Sequence, residues 1–169
     1  MEKHWLKSYP PSVRAEINVN EYPSLKEMIE RALAIHSVRD AYVQMGKAIT
    51  FGEIDVLSAQ FGAFLQTGCG LKKGDRVAVM LPNILQYPIV VHGALRAGMT
   101  VVNTNPLYTA RELEHQLIDS GATVIVILEN FAHTLQQVYA KVPTKTVVVC
   151  AMGDMLGFAK GLLVNFVVR

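Results

Sequence analysis

Residues able to do chemistry are sparse in this sequence, and none stands at a spacing that completes a reaction centre. The five histidines are His4, His36, His92, His115 and His133. None pairs as His-x-x-x-His, and no Cys or carboxylate stands at a spacing that would complete a metal-ligand set. His92 falls on an apolar stretch and His115 on a polar one, so both read as structural or surface histidines. Cys69 and Cys150 are far apart and match no metal spacing. A serine-nucleophile elbow, Gly-x-Ser-x-Gly, is absent. Thr67-Gly68-Cys69-Gly70 is the only dense glycine cluster, and no Gly-Lys-Ser/Thr follows it to cradle phosphates. Asn103 and Asn105 close an apolar run before Pro106. At the carboxyl end of a parallel strand such side chains can meet a ligand. Asparagine also bonds local backbone in turns, and that use is the commoner one. No catalytic, cofactor-binding or metal-ligating residue is assigned.

The elements that would position these residues are strongly punctuated. Residues 1–23 read as irregular, broken by Tyr9-Pro10-Pro11 and Tyr22-Pro23. Ser24 with Glu27, Thr50 with Glu53 and Thr109 with Glu112 have capping-box spacing, each opening a helix. The first helix carries Leu25, Met28, Ile29, Ala32 and Leu33 on one face. A hairpin is predicted from Ala41–Met45 and Ala48–Phe51 around Gly46-Lys47, and the next helix carries Ile54, Leu57, Phe61 and Leu65 to a glycine stop at Gly68. Arg76–Met80, Thr100–Asn103, Thr123–Leu128 and Lys145–Cys150 read as strands. Helices are predicted from Pro82-Asn83 to Ala97, with Pro88 in the first turns and Leu95 facing inward, from Thr109 to Ser120, and from Asn130 to Lys141. Strands that are apolar throughout, alternating with helices, predict an α/β fold: a parallel sheet with helices on both faces.

Composition narrows the classes further. With 51% hydrophobic and 18% charged residues, the chain can bury a core and is not disordered. A net charge of +2 argues against a nucleic-acid specialist. The densest basic cluster, Lys72, Lys73 and Arg76, is interrupted by Asp75 and has no interleaved aromatics. Few cysteines and no apolar signal region at the start point to the cytoplasm. The most apolar long window, Ile84 to Val102, holds Gln86, His92, Arg96 and Pro88, and does not read as a membrane span. The tail from Phe158 to Arg169 is strongly apolar and stops without a glycine cap, which predicts packing against further chain; an interfacial membrane helix is the weaker reading, since Lys160 and Arg169 are its only charges.

Three segments, in order, resemble the core motifs of the adenylate-forming ligases. They are Ile49-Thr50-Phe51-Gly52-Glu53-Ile54, the turn and strand Leu71-Lys72-Lys73-Gly74-Asp75-Arg76-Val77-Ala78, and Leu95-Arg96-Ala97-Gly98-Met99 followed by Asn105-Pro106. The run Asn103-Thr104-Asn105-Pro106-Leu107-Tyr108-Thr109, with Arg111-Glu112-Leu113 and His115-Gln116-Leu117 after it, is similar to the bacterial long-chain fatty-acid–CoA ligases. That resemblance implies the amino-terminal part of the large domain of such an enzyme. Residues 24–169 would form an incomplete subdomain that stops before the family's phosphate loop. The full-length enzyme would convert fatty acid, ATP and coenzyme A to acyl-CoA, AMP and pyrophosphate through acyl-AMP, with Mg²⁺. The resemblance also implies peripheral contact with the cytoplasmic face of the membrane and a homodimer of that full-length enzyme. Two other readings stay open: a ligase of the same family for a medium-chain or aryl acid, and a non-catalytic stand-alone interaction module.

Overall fold

The computed structural model describes residues 2–168. Met1 and Arg169, which end the irregular first segment and the apolar tail of the sequence reading, lie outside the described residues. A short 3-10 turn at His4–Ser8 precedes α1 (Leu25–Ile35), β1 (Asp40–Gln44), β2 (Lys47–Thr50) and α2 (Phe51–Thr67). Then come β3 (Arg76–Met80), α3 (Gln86–Arg96), β4 (Thr100–Asn103), α4 (Ala110–Ser120), β5 (Val124–Leu128), α5 (Ala132–Gln136), β6 (Thr146–Cys150) and α6 (Phe158–Val168). The main sheet has four strands in the order β4-β3-β5-β6, all parallel. β1 and β2 form a separate antiparallel hairpin.

Alternate residues of the strands feed two cores. Val77, Val79, Val124 and Val126 pack beneath Leu65 of α2 and Val90 and Ala94 of α3. Ala78, Met80, Ile125 and Ile127 pack beneath Leu113 and Leu117 of α4 and Leu135 of α5. The chain steps from β3 to β4 in one direction, then returns past β3 to β5. Right-handed crossovers that reverse direction must change face, and α3 and α4 do lie on opposite faces. A third cluster, Leu33, Ile49, Ile54, Leu85 and Ile89, seats α1 and the hairpin against α2 and α3.

Local signals act where expected, with six corrections. Thr50–Glu53 and Thr109–Glu112 form complete capping boxes. At Ser24 only half the box exists: the hydroxyl accepts from the Glu27 N–H, and Leu25 and Met28 on the first turn are exposed. The hairpin turns at Met45-Gly46, one residue earlier than predicted, with φ of 49° and 77°, because a two-residue loop between twisted strands needs both residues left-handed. Gly68 does cap α2, but in right-handed conformation at φ −81°; the left-handed glycine is Gly70 at φ 68°. Helix α3 starts at Gln86, later than Pro82-Asn83, since Pro88 has no N–H to give to a carbonyl four residues back and must sit in the first turn. On α3 the inward positions are Val90 and Ala94, while Leu95 is only half-buried. The predicted 130–141 helix is broken into a 3-10 turn, α5 and a second 3-10 turn at Tyr139–Lys141.

The last helix is docked by backbone contact. A Cβ on Gly153 would collide with the Gly161 carbonyl, and one on Gly161 with the Gly153 carbonyl. Asn165 Oδ1 accepts the Gly153 N–H at 2.7 Å, and Lys160 Nζ donates to the Met45 carbonyl. The opposite face of α6 presents Phe158, Leu162 and Phe166 one turn apart, with Leu163 and Val167 beside them, all exposed.

Two outcomes follow from this packing. Val90→Asp would bury an unpaired carboxylate at a position 4% exposed. The cost is several kcal/mol against the roughly 5–15 kcal/mol that holds a domain, so circular dichroism should show loss of the cooperative melt. The α6 stripe should bind a hydrophobic dye, as apolar patches of this kind do. Leu162→Glu with Phe166→Glu should abolish most of that fluorescence without lowering the melting temperature, and unchanged fluorescence would place the patch elsewhere.

Candidate functional site: a crevice at the strand ends

Because β3 exits to one face and β4 to the other, the chain parts at their carboxyl ends, where open α/β sheets place ligands. A cavity of about 330 Å³ opens there. Its floor is Val79 and Leu81; Asn83 and Tyr87 come from the β3–α3 side, and Asn103, Thr104, Asn105 and Tyr108 from the β4–α4 side. Every lining side chain is uncharged. The polar groups are amides and hydroxyls, which can donate and accept hydrogen bonds but cannot neutralise a phosphate.

The two asparagines divide the roles considered for them. Asn105 does turn work: its Oδ1 accepts the Leu107 N–H at 3.0 Å and its carbonyl accepts the Tyr108 N–H at 3.1 Å. Asn103 reaches across the crevice instead, its Oδ1 accepting the Tyr87 hydroxyl at 3.0 Å. Thr104 is buried, and its N–H donates to the Val79 carbonyl at 3.0 Å, tying the β4 loop to β3. Tyr87 and Asn83 were not legible as crevice residues in the sequence. The usable signal was their place, just after a parallel strand's carboxyl end.

The remaining chemistry-bearing residues are scattered. His36 packs against Phe51 at 5.7 Å between ring centroids, His115 lies among Glu112, Gln116 and Asp119 on the α4 surface, and His133 contacts its own helix start through the Asn130 carbonyl. Among the described residues no three His, Cys, Asp or Glu side chains converge as a metal site. Burial raises the Cys69 thiol, and burial followed by the nearby Asp154 charge pushes Cys150 up to about 11, so neither is an activated nucleophile. The Thr67–Gly70 cluster wraps the end of α2, with the Gly68 and Cys69 N–H groups both donating to the Phe64 carbonyl. Lys72 and Arg76 are exposed, and Asp75 Oδ2 accepts the Lys72 N–H at 2.7 Å, as in a solvated turn.

His92 departs from the expectation of a satisfied side chain: its Nδ1 is buried without a hydrogen-bond partner. Burial, and then the Arg96 guanidinium one turn on, hold its pKa below the ordinary imidazole value. Arg96 itself is a clamp, bonding Asp55 at 2.7 Å, Glu30 at 3.2 Å and the Ser58 hydroxyl at 2.9 Å.

Comparison with known proteins bears on this arrangement. The family model described as AMP-binding enzyme matches residues 29–166. A long-chain-fatty-acid–CoA ligase of Yersinia pestis is 57% identical over all of this chain and 30% of its own length. One from Escherichia coli O157:H7 is 56% identical with the same coverage. The chain thus spans about 30% of the length of the curated relatives it matches. Among solved structures, a long-chain-fatty-acid-CoA ligase from Archaeoglobus fulgidus superposes with a TM-score of 0.68 at 25% identity, over 85% of this chain and 29% of that one.

The depressed His92 pKa sets a pH dependence. The unfolded chain takes up a proton near the ordinary imidazole value of 6.5 and the folded chain resists it, so stability is present above that pH and is lost as pH falls below it. Urea midpoints should fall between pH 7 and pH 5.5, and should fall less in His92→Gln. Equal slopes would show that His92 is not the group responsible.

Proposed function

Because this chain belongs to the AMP-binding enzyme family, we propose that it forms the amino-terminal lobe of a long-chain fatty-acid–CoA ligase. The observation that carries the proposal is 57% identity, over every residue of the chain, to a ligase of that name. In the reaction so inferred, a fatty-acid carboxylate oxygen bonds to the α-phosphorus of ATP as the bond to pyrophosphate breaks. The coenzyme A sulfur then adds to the acyl carbonyl, and AMP leaves.

These residues contribute a scaffold to that chemistry. The uncharged crevice has no Lys or Arg to hold a triphosphate. The donor set for the implied Mg²⁺ does not fit either, since no metal-binding cluster exists among the described residues. What the lobe supplies is a rigid parallel sheet whose strand ends, held by the Tyr87–Asn103 and Thr104–Val79 bonds, face a hydrogen-bonding cavity. On this reading the phosphate loop, the acyl pocket and the swinging domain belong to other residues of the enzyme. Membrane contact and homodimerisation belong to the same proposal for the whole enzyme.

Two measurements test it. This chain alone, given oleate, ATP and Mg²⁺, should release no pyrophosphate in a fatty-acid-dependent manner; turnover would overturn the scaffold assignment. Substituted for the equivalent residues of the Yersinia pestis ligase, it should support oleate-dependent acyl-CoA formation within about tenfold of the parent, roughly 1.4 kcal/mol in the barrier. A chimera that melts like the parent but forms no acyl-CoA would count against membership in that ligase class.

A further inference from the structure

A second hollow, of about 320 Å³, lies between β1 and the amino end of α3. Its walls are Val43 from β1 and Ile84, Leu85, Pro88 and Val91 from the other side. Asn83 and Tyr87 line both this hollow and the strand-end crevice, so the two share a wall. Hydrogen bonds between elements hold the walls in place. The Leu85 N–H donates to Gln44 Oε1 at 2.9 Å, Gln44 Nε2 donates to the Met152 carbonyl at 3.4 Å, and Gln86 Nε2 donates to the Ala151 carbonyl at 2.9 Å. The Gln44 amide is therefore occupied by backbone, and the surface facing the hollow is mostly hydrocarbon and aromatic ring. No Lys, Arg, Asp or Glu lines it.

Size and lining are those of a small-molecule pocket: about 300 Å³ or more, apolar walls, few polar groups. His92 is among the lining residues, although its unpartnered Nδ1 is itself closed off from the open space. Charge decides the class of occupant. An ion would give up its hydration and find no counter-charge, whereas an uncharged apolar body has no such hydration to give up. We propose that the cleft between β1 and α3 binds the uncharged aromatic ring or short acyl group of a small molecule, with His92 at its polar side. This reading does not rest on ligase turnover.

The test is ligand-observed fluorine NMR on the whole chain, with 4-fluorobenzyl alcohol as the neutral probe and 4-fluorobenzoate as its charged counterpart. The alcohol should show saturable line broadening, and the benzoate should bind at least tenfold more weakly. Val43→Asp, at a position 67% exposed where the fold tolerates a charge, should weaken the alcohol at least tenfold at an unchanged melting temperature. His115→Ala on α4 should leave binding as it was. Absence of saturable binding, equal binding of the two probes, or binding that survives Val43→Asp would each overturn the proposal. Because the readout involves no acyl transfer, its failure is distinct from failure of the ligase assignment.

Discussion

The α2 and α3 backbones touch, and the arrangement of the lobe depends on that contact. A Cβ on Gly62 would come within 2.9 Å of the Gly93 carbonyl oxygen, and one on Gly93 within 2.7 Å of the Ser58 carbonyl oxygen. Real side-chain carbons do not approach backbone so closely, so each helix needs its glycine. Glycine inside a helix is unfavourable by about 1 kcal/mol relative to alanine, and here the close approach offsets it. It brings Arg96 within reach of Asp55, Ser58 and Glu30, which joins three helices through one guanidinium. It also lets two helices share one face of the sheet, leaving α4 and α5 to cover the other.

Much of this was written in local sequence. Strands β3 and β4 have the bounds predicted for them, and the boxes at Thr50 and Thr109 open helices because their chemistry is satisfied within four residues. What was illegible needed tertiary information. The late start of α3 follows from Pro88 together with burial of Ile84 and Leu85, and Leu25 on the first turn of α1 is exposed. Tyr87 could not be read as a partner of Asn103, because they stand sixteen positions apart, one on a helix and the other on a strand. The glycine contact was equally hidden, since Gly62 and Gly93 look like ordinary helix interruptions until the helices are placed side by side.

The candidate site shows the same division. Asn105 follows local turn chemistry, which sequence predicts well. Asn103 differs only in standing at the last position of a parallel strand, where its amide faces across the gap left when the chain changes sides. Family membership and the high identity to ligases place the lobe within a known family. The crevice's uncharged lining offers amide and hydroxyl hydrogen bonds.

The strand order also bears on how the sheet assembles. β3 pairs with both β4 and β5, and β4 and β5 never pair with each other. β5 likewise pairs with both β3 and β6, so β3 and β5 are the inner pair, and β4 and β6 flank it through the crossovers that carry α3 and α5. Each closure pays chain entropy before its ladder of hydrogen bonds forms, which makes parallel pairing slow. During synthesis Val77 to Met80, the most buried strand segment to emerge early, waits for partners more than twenty residues downstream.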